Sequence, residues 1–303
     1  MEYSSKAIDV FTPEWRPPLF HVPGLAWNDA ALCAELSRLA YFHFEDKNTD
    51  NKAVVRNACA QQRLEQAHFF NDADTGTQAF AVLRERDSRA FVAFRGTQPD
   101  KLLDYVIDAG ILLEPWEGPA PARVHSGFQR AYQRPAIARD IALLLDSWRQ
   151  GHPRLQVSYT GHSLGAALAT LAAAGAPGAT LTTFGSPRVG DAAFARRVDA
   201  NAVISRYVDC CDVVTEVPPE FLAYDHVDAL HYIDRNRKVW ATLPEGDVDA
   251  DRDAARCERP SLLELKALLT VALRNPMDSN VPRFLSDHAI INYIQPLLAL
   301  PQP

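Results

Sequence analysis

Five consecutive residues, Gly161-His162-Ser163-Leu164-Gly165, place a serine midway between two glycines. Alone the pattern is a weak signal. Its surroundings strengthen it, because a strand-like run, Gln156–Thr160, leads in and a small-residue helix, Leu164–Ala174, leads out. A sharp strand–turn–helix holds its central serine in a strained backbone conformation with the hydroxyl presented for reaction. The residues two before and two after must be tiny to avoid collision, which is what the glycines supply. The helix N-terminus also directs unpaired N–H groups and a positive dipole end toward developing negative charge. A serine hydroxyl needs a base to take its proton, and the base needs a carboxylate to hold its tautomer. Carboxylate candidates are Asp209 and Asp212, just past the strand-like run Ala202–Val208. The histidines that follow Ser163 are His226, His231 and His288.

The elements that must position these groups alternate along the chain. Asn28 or Asp29 can cap a helix with Leu32, Leu36, Leu39 and Ala40 on one face. Gln78–Leu83 and Arg89–Phe94 read as strands joined by the charged turn Arg84–Ser88. A helix is expected from Phe128 to Arg149, and after the serine turn come a strand at Thr180–Phe184, a short helix at Ala192–Val198 and the strand Ala202–Val208. A strand-like pair follows at Leu230–Ile233 and Lys238–Thr242, then an Asp-rich loop over Glu245–Asp253. An amphipathic helix is expected over Leu262–Leu273 and a last one near Ile290–Leu300. Strands alternating with helices predict an α/β fold, a mainly parallel central sheet covered by helices on both faces. Residues 1–27 are rich in proline and aromatics and read as an arm lying on one domain that spans residues 1–303.

Composition narrows the partners. With 47% apolar residues the chain can bury a core, and a net charge of −7 argues against a nucleic-acid partner. Neutral lipids or small esters are the substrate classes left open. The five cysteines are odd in number and lack framework spacing, so a reduced intracellular protein is the simplest reading. No CxxC pair or His/Cys metal spacing occurs, so neither a metal nor another cofactor is expected. The N-terminus lacks a basic region followed by an apolar one. The expectation is therefore a cytoplasmic protein, one exported without a leader, or a mature secreted form.

Further segments give the chain a specific resemblance. Phe94-Arg95-Gly96-Thr97, Val124-His125-Ser126-Gly127-Phe128, Phe184-Gly185-Ser186-Pro187-Arg188-Val189-Gly190, Asp212-Val213-Val214 with Pro218-Pro219, and Asp287-His288 occur in that order around the serine motif. In this the chain resembles the class 3 lipases, the α/β-hydrolase family of the fungal lipases, over about residues 78–295. The resemblance implies an α/β-hydrolase fold and a Ser–acid–His chain order. It selects Asp212 over Asp209 as the acid and His288 as the base. His226 remains the runner-up base, in a loop close to the acid in sequence, whereas His231 reads as a strand side chain. His125 and His162 are expected to be packed, hydrogen-bonded residues, and Asp287 a helix-capping neighbour. The oxyanion hole would take the backbone N–H of Leu164 and, by resemblance, that of Thr97, after the strand Phe91–Phe94.

Residues 98–113 would form a lid, or else a fixed surface helix. On its apolar side lie Leu102, Leu103, Tyr105 and Val106, candidates to contact the acyl chain and to meet a lipid interface transiently. Two departures stand out: Thr215 where the family usually carries proline, and Tyr105 where tryptophan is common. Neither position carries the chemistry. The implied activity is acylglycerol ester hydrolysis. Phospholipase A1 or soluble carboxylesterase action uses the same residues, and a non-catalytic binding module on the same fold is the reading from a different class.

Overall fold

The computed structural model describes residues 2–46, 49–96, 112–116, 121–257, 264, 267, 276–277 and 279–300. Its first helix, α1, is Ala7–Phe11, followed by α2 at Asp29–Leu39 and α3 at Asn51–Gln61. Asn28 caps α2 by accepting from Ala31 N at 2.9 Å, a contact worth about 1 kcal/mol. Then come β1 (Glu65–Asp72), β2 (Thr77–Arg84) and β3 (Arg89–Phe94). A short antiparallel pair, β4 (Leu113–Trp116) and β5 (Ala122–His125), precedes α4 (Ser126–Tyr132) and α5 (Ala138–Gly151). Next are β6 (Gln156–His162), α6 (Leu164–Ala174), β7 (Thr180–Phe184), α7 (Ala192–Asn201) and β8 (Val203–Asp209). The chain continues through β9 (Leu230–Ile233), β10 (Val239–Trp240), α8 (Glu245–Ala254), α9 (Arg283–Ser286) and α10 (Ile290–Leu298).

Eight of these strands form one sheet in the order β1-β2-β3-β6-β7-β8-β9-β10. The run from β3 to β9 is parallel, and the outer pairs are antiparallel. Every residue of β2 is buried, because its alternating side chains enter two different cores. Ala79, Ala81 and Leu83 meet α4, α5, α6 and α7 on one face, while Phe80 and Val82 meet α2, α3 and α10 on the other. The structure is therefore α/β, with a mainly parallel sheet and helices on both faces. A third apolar cluster, Ala7, Phe11, Val208, Cys210, Cys211, Tyr232, Val248, Phe284 and Leu285, packs behind the β8 exit. No described helix is long and apolar enough to cross a membrane.

Four sequence expectations require correction. The helix expected over Phe128–Arg149 is two helices, divided at Gln133–Ile137, where Pro135 has no N–H to continue the ladder. The Asp-rich segment expected as a loop is α8, and its Asp251 side chain is engaged by Arg235, Tyr232 and Cys210 rather than by solvent alone. Leu113, the expected end of the lid helix, begins β4, and the residues before Leu112 in that segment lie outside the described set, as does nearly all of Leu262–Leu273. The cysteines are not all reduced: Cys211 is bonded to Cys257, while Cys33, Cys59 and Cys210 are free and buried. Sequence spacing could not foresee that pairing, since the two residues lie 46 apart and meet only through the turn of α8.

Candidate active site

Ser163 sits between β6 and α6 with φ 60° and ψ −130°, a left-handed conformation that a side-chain-bearing residue holds only under strain. Its N–H donates to Phe184 O at 3.0 Å, which ties the turn to β7. Both flanking glycines are sterically required. A Cβ on Gly161 would lie 2.2 Å from Gly165 backbone, and one on Gly165 would lie 2.2 Å from Phe94 O. The turn can therefore close only because neither residue has a side chain. Leu164 is the first residue of α6, where a helical N–H has no carbonyl of its own helix to bind. The Ser163 Oγ is buried and has no hydrogen-bond partner among the described residues.

The carboxylate of Asp212, just past β8, receives His288 Nδ1 at 2.9 Å on both oxygens. Both side chains are buried. Val214 N donates to Asp212 Oδ1 at 2.9 Å and Tyr293 OH donates to Oδ2 at 2.6 Å, so three donors fix the carboxylate. Tyr293 OH also accepts from Asp209 N at 3.0 Å, which leaves its own proton for Asp212. Burial first, then the Asp212 charge, hold the Tyr293 phenol well above its ordinary range, so it remains a donor at any working pH. Sequence reasoning missed Tyr293; its one signal is a hydroxyl-bearing residue on the apolar face of the last helix, five positions after His288.

His162 links the elbow to the His288 loop. Its Nε2 donates to His288 O at 2.7 Å, and since a carbonyl can only accept, Nδ1 must accept from Tyr41 OH at 2.8 Å. Burial, and secondarily the neighbouring His288, keep His162 neutral, well below the usual histidine range. The two imidazole rings lie 4.5 Å apart. Gly185, with φ +56°, makes room for the pair: a Cβ there would stand 2.6 Å from Asp212 Oδ2 and 3.0 Å from His288 Nδ1. This gives a physical reason for the glycine of the Phe184-Gly185-Ser186-Pro187 segment.

The alternatives considered from sequence are otherwise engaged. Asp209 is clamped by Arg237 Nη1 at 2.7 and 2.6 Å. His226 donates to Thr215 O at 2.8 Å, and burial with Arg206 and Arg188 nearby holds it well below the ordinary histidine range. His231 projects from β9 and stacks on Tyr207 at 4.7 Å. His125 accepts from Gly127 N at the start of α4, and burial pushes it down to about 4. Asp287, expected as a helix-capping neighbour, is the C-cap residue of α9. It is fully buried and accepts from Tyr3 OH (2.6 Å), Cys211 N (3.0 Å) and Arg283 Nε (3.2 Å), joining the N-terminal arm, the Asp212 loop and the His288 loop. Thr97 and the candidate lid residues Leu102, Leu103, Tyr105 and Val106 lie outside the described residues.

Comparison with known proteins gives the chain's relatives. The family model described as lipase (class 3) matches residues 91–222, a span that runs from β3 through the serine elbow to beyond Asp212. Over that span the chain resembles the class 3 lipases. Its similarity to the lipase of Rhizomucor miehei is 26% identity over 238 residues, covering 73% of this chain and 64% of that protein, under two thirds of its length. In three dimensions it resembles the crystal structure of lipase from Rhizopus microsporus var. chinensis, with a TM-score of 0.57 and 23% identity over 77% of this chain and 91% of that one. A triacylglycerol lipase whose catalytic centre is formed by a serine protease triad superposes with a TM-score of 0.56 and 24% identity, over 68% and 81% of the two chains. At that identity the two structural likenesses concern the fold. The family match stops short of His288, so the base side of the site rests on this chain's own geometry.

Proposed function

We propose that this class 3 lipase-like chain hydrolyses carboxylic esters of acylglycerols through an acyl-enzyme on Ser163. The observation that carries the reading is a strained serine, its hydroxyl without a hydrogen-bond partner among the described residues, on a turn whose His162 donates to His288 O, with His288 itself held by the buried Asp212, in the chain order Ser163, Asp212, His288. Asp212 holds Nδ1–H of His288, which leaves Nε2 as the acceptor for the serine proton. Ser163 Oγ attacks the ester carbonyl carbon while Nε2 takes its proton. The resulting oxyanion is met by Leu164 N–H and, by family resemblance, Thr97 N–H. The alkoxide leaves with the proton from His288, and water repeats the sequence on the acyl-enzyme. Residues 98–113, with Leu102, Leu103, Tyr105 and Val106, would contact the acyl chain or a lipid surface. The triad described for the triacylglycerol lipase neighbour supports the same assignment.

Turnover of p-nitrophenyl butyrate by wild type, with none by Ser163→Ala, tests the chemistry. Triolein emulsion against phosphatidylcholine vesicles then tests the headgroup. Faster acyl release from phosphatidylcholine would replace the acylglycerol reading with phospholipase A1. Retained butyrate turnover in Ser163→Ala would remove the serine assignment altogether.

A further inference from the structure

Directly before Asp212 the chain carries Cys210 and Cys211, and Cys257 returns to them from the end of α8. The Cys211 and Cys257 sulfurs are bonded, and the Cys210 Sγ lies 3.8 Å from each of them. Cys210 and Cys211 are buried, whereas Cys257 is partly exposed. A thiolate in solution can therefore reach Cys257 Sγ, with Cys211 as the leaving sulfur. Cys210 is held apart from that chemistry. Its thiol donates to Asp251 Oδ2 at 3.3 Å, and burial together with Asp251 pushes it up to about 12, so it stays protonated at neutral pH and is a poor nucleophile.

The bonded pair is wired to both sides of the active site. Cys211 adjoins Asp212, and its N–H donates to Asp287 Oδ2 at 3.0 Å, beside His288. On the other side, Arg252 of α8 donates to Cys210 O at 3.0 Å. The bond therefore fastens the Asp212 loop to α8 at the residue before the carboxylate.

We propose that Cys211 and Cys257 form a thiol–disulfide exchange site for low-molecular-weight thiols and disulfides of the glutathione type, and that its closure sets how firmly the Asp212 loop is held. In closing, Cys257 thiolate attacks the small disulfide RSSR, forming Cys257–S–S–R and releasing RS⁻. Cys211 then gives up its proton and attacks Cys257 Sγ, forming the protein disulfide and releasing the second RS⁻. Two protein thiols are oxidised and one RSSR becomes two RSH; reduction by excess RSH runs the same steps backward. The same three sulfurs lie within 4.8 Å of one another, a spacing that a soft metal could also use. The exchange reading is favoured because Asp251, the carboxylate hydrogen-bonded to Cys210, is already engaged by Tyr232 OH, Arg235 N and Cys210 Sγ.

The kinetic arm of the test rests on the ester hydrolysis proposed above; the other arms do not. The full chain is equilibrated in buffers of varied reduced-to-oxidised glutathione ratio, alkylated, and mapped by mass spectrometry. Amide exchange of residues 203–217 and butyrate turnover are read on the same samples, and zinc content is measured on the reduced sample. The expected result is a Cys211–Cys257 crosslink that closes with rising oxidised glutathione. Protection of residues 203–217 rises with the same midpoint, and reduction lowers kcat roughly three- to ten-fold through loosened placement. Cys257→Ser should sit at the reduced level throughout, and Cys210→Ser should titrate like wild type. A pair that never closes, stoichiometric zinc on the three cysteines, or closure that alters neither protection nor turnover would each overturn the inference. Closure that alters protection in a protein inert toward esters in every buffer would support the exchange site and retire the proposed activity.

Discussion

The serine elbow and the acid–base edge are assembled by different means. At the elbow, position is set by backbone shape. Gly161 and Gly165 let β6, α6 and β3 close around Ser163, and the backbone contacts that shape the turn lie within the motif or on an adjacent strand. At the edge, position is set by side chains that arrive from far along the chain. Tyr293 holds Asp212, Asp287 joins Cys211 to Tyr3, and Asn292 donates to Ser4 O at 2.7 Å. The elbow is consequently sensitive to added volume, whereas the edge is sensitive to lost donors and acceptors. Hydrogen bonds to a buried charge are worth roughly 1.5–3 kcal/mol each, so the edge can lose one and still be recognisable.

The sharpest break in that comparison is removal of the reacting groups themselves. Ser163→Ala and His288→Ala should each lower kcat by about 10⁶-fold with unfolding midpoints close to wild type, since the two act as one unit. His226→Ala and His231→Ala should keep measurable turnover after correction for folding. A dead His226→Ala beside an active His288→Ala would move the base to the shorter loop and undo the edge as described. Next in size, Asp212→Asn should cost about 10⁴-fold in kcat through the wrong tautomer and lost imidazolium stabilisation. Asp209→Asn, which loses only the Arg237 clamp, should keep far more; the reverse ranking would exchange the two carboxylates.

Gly185→Ala tests whether volume matters at the edge as it does at the elbow. Its Cβ would enter the space of Asp212 and His288, so kcat should fall by roughly 10²-fold from misplacement alone. An unchanged kcat would mean that the pair can shift without penalty. Tyr293→Phe keeps the ring and removes one donor, and should lower kcat by about ten-fold. A larger loss in unfolding free energy than in activation free energy would make Tyr293 a folding residue instead.

The smallest effect concerns pH. An unfolded histidine titrates near 6.5, whereas folded His125 titrates at about 4. Between those values the unfolded chain binds a proton that the folded chain refuses, so stability falls as pH falls through that window. His162 and His226, also held down by burial, act in the same direction. Denaturant midpoints from pH 7.5 to 4.5 should decline, and His125→Asn should reduce the decline by on the order of 2 kcal/mol. Asparagine keeps an acceptor for Gly127 N, so an unaltered slope in that variant would assign the pH dependence elsewhere.

What could be read along the chain divides in the same way. The elbow was legible because its constraint is local: strand, two glycines and a small-residue helix lie within 20 residues, and sterics leave few other ways to fold them. The alternating strands and helices from β6 to β8 were legible for a similar reason, since each is a short local run of strand-type or helix-type residues. The edge was legible only as residue types in a family order. Nothing in the spacing of Asp209, Asp212, Asp287, His226 and His288 tells which carboxylate faces which imidazole; packing decided it by giving Asp209 to Arg237 and Asp287 to Cys211 and Tyr3. Tyr293, the partnership of Cys211 with Cys257, and the helical state of the Asp-rich segment were likewise decided only in three dimensions. A hydrogen bond or disulfide between distant residues has no periodicity in sequence, because its geometry is set by the sheet that brings the two segments together.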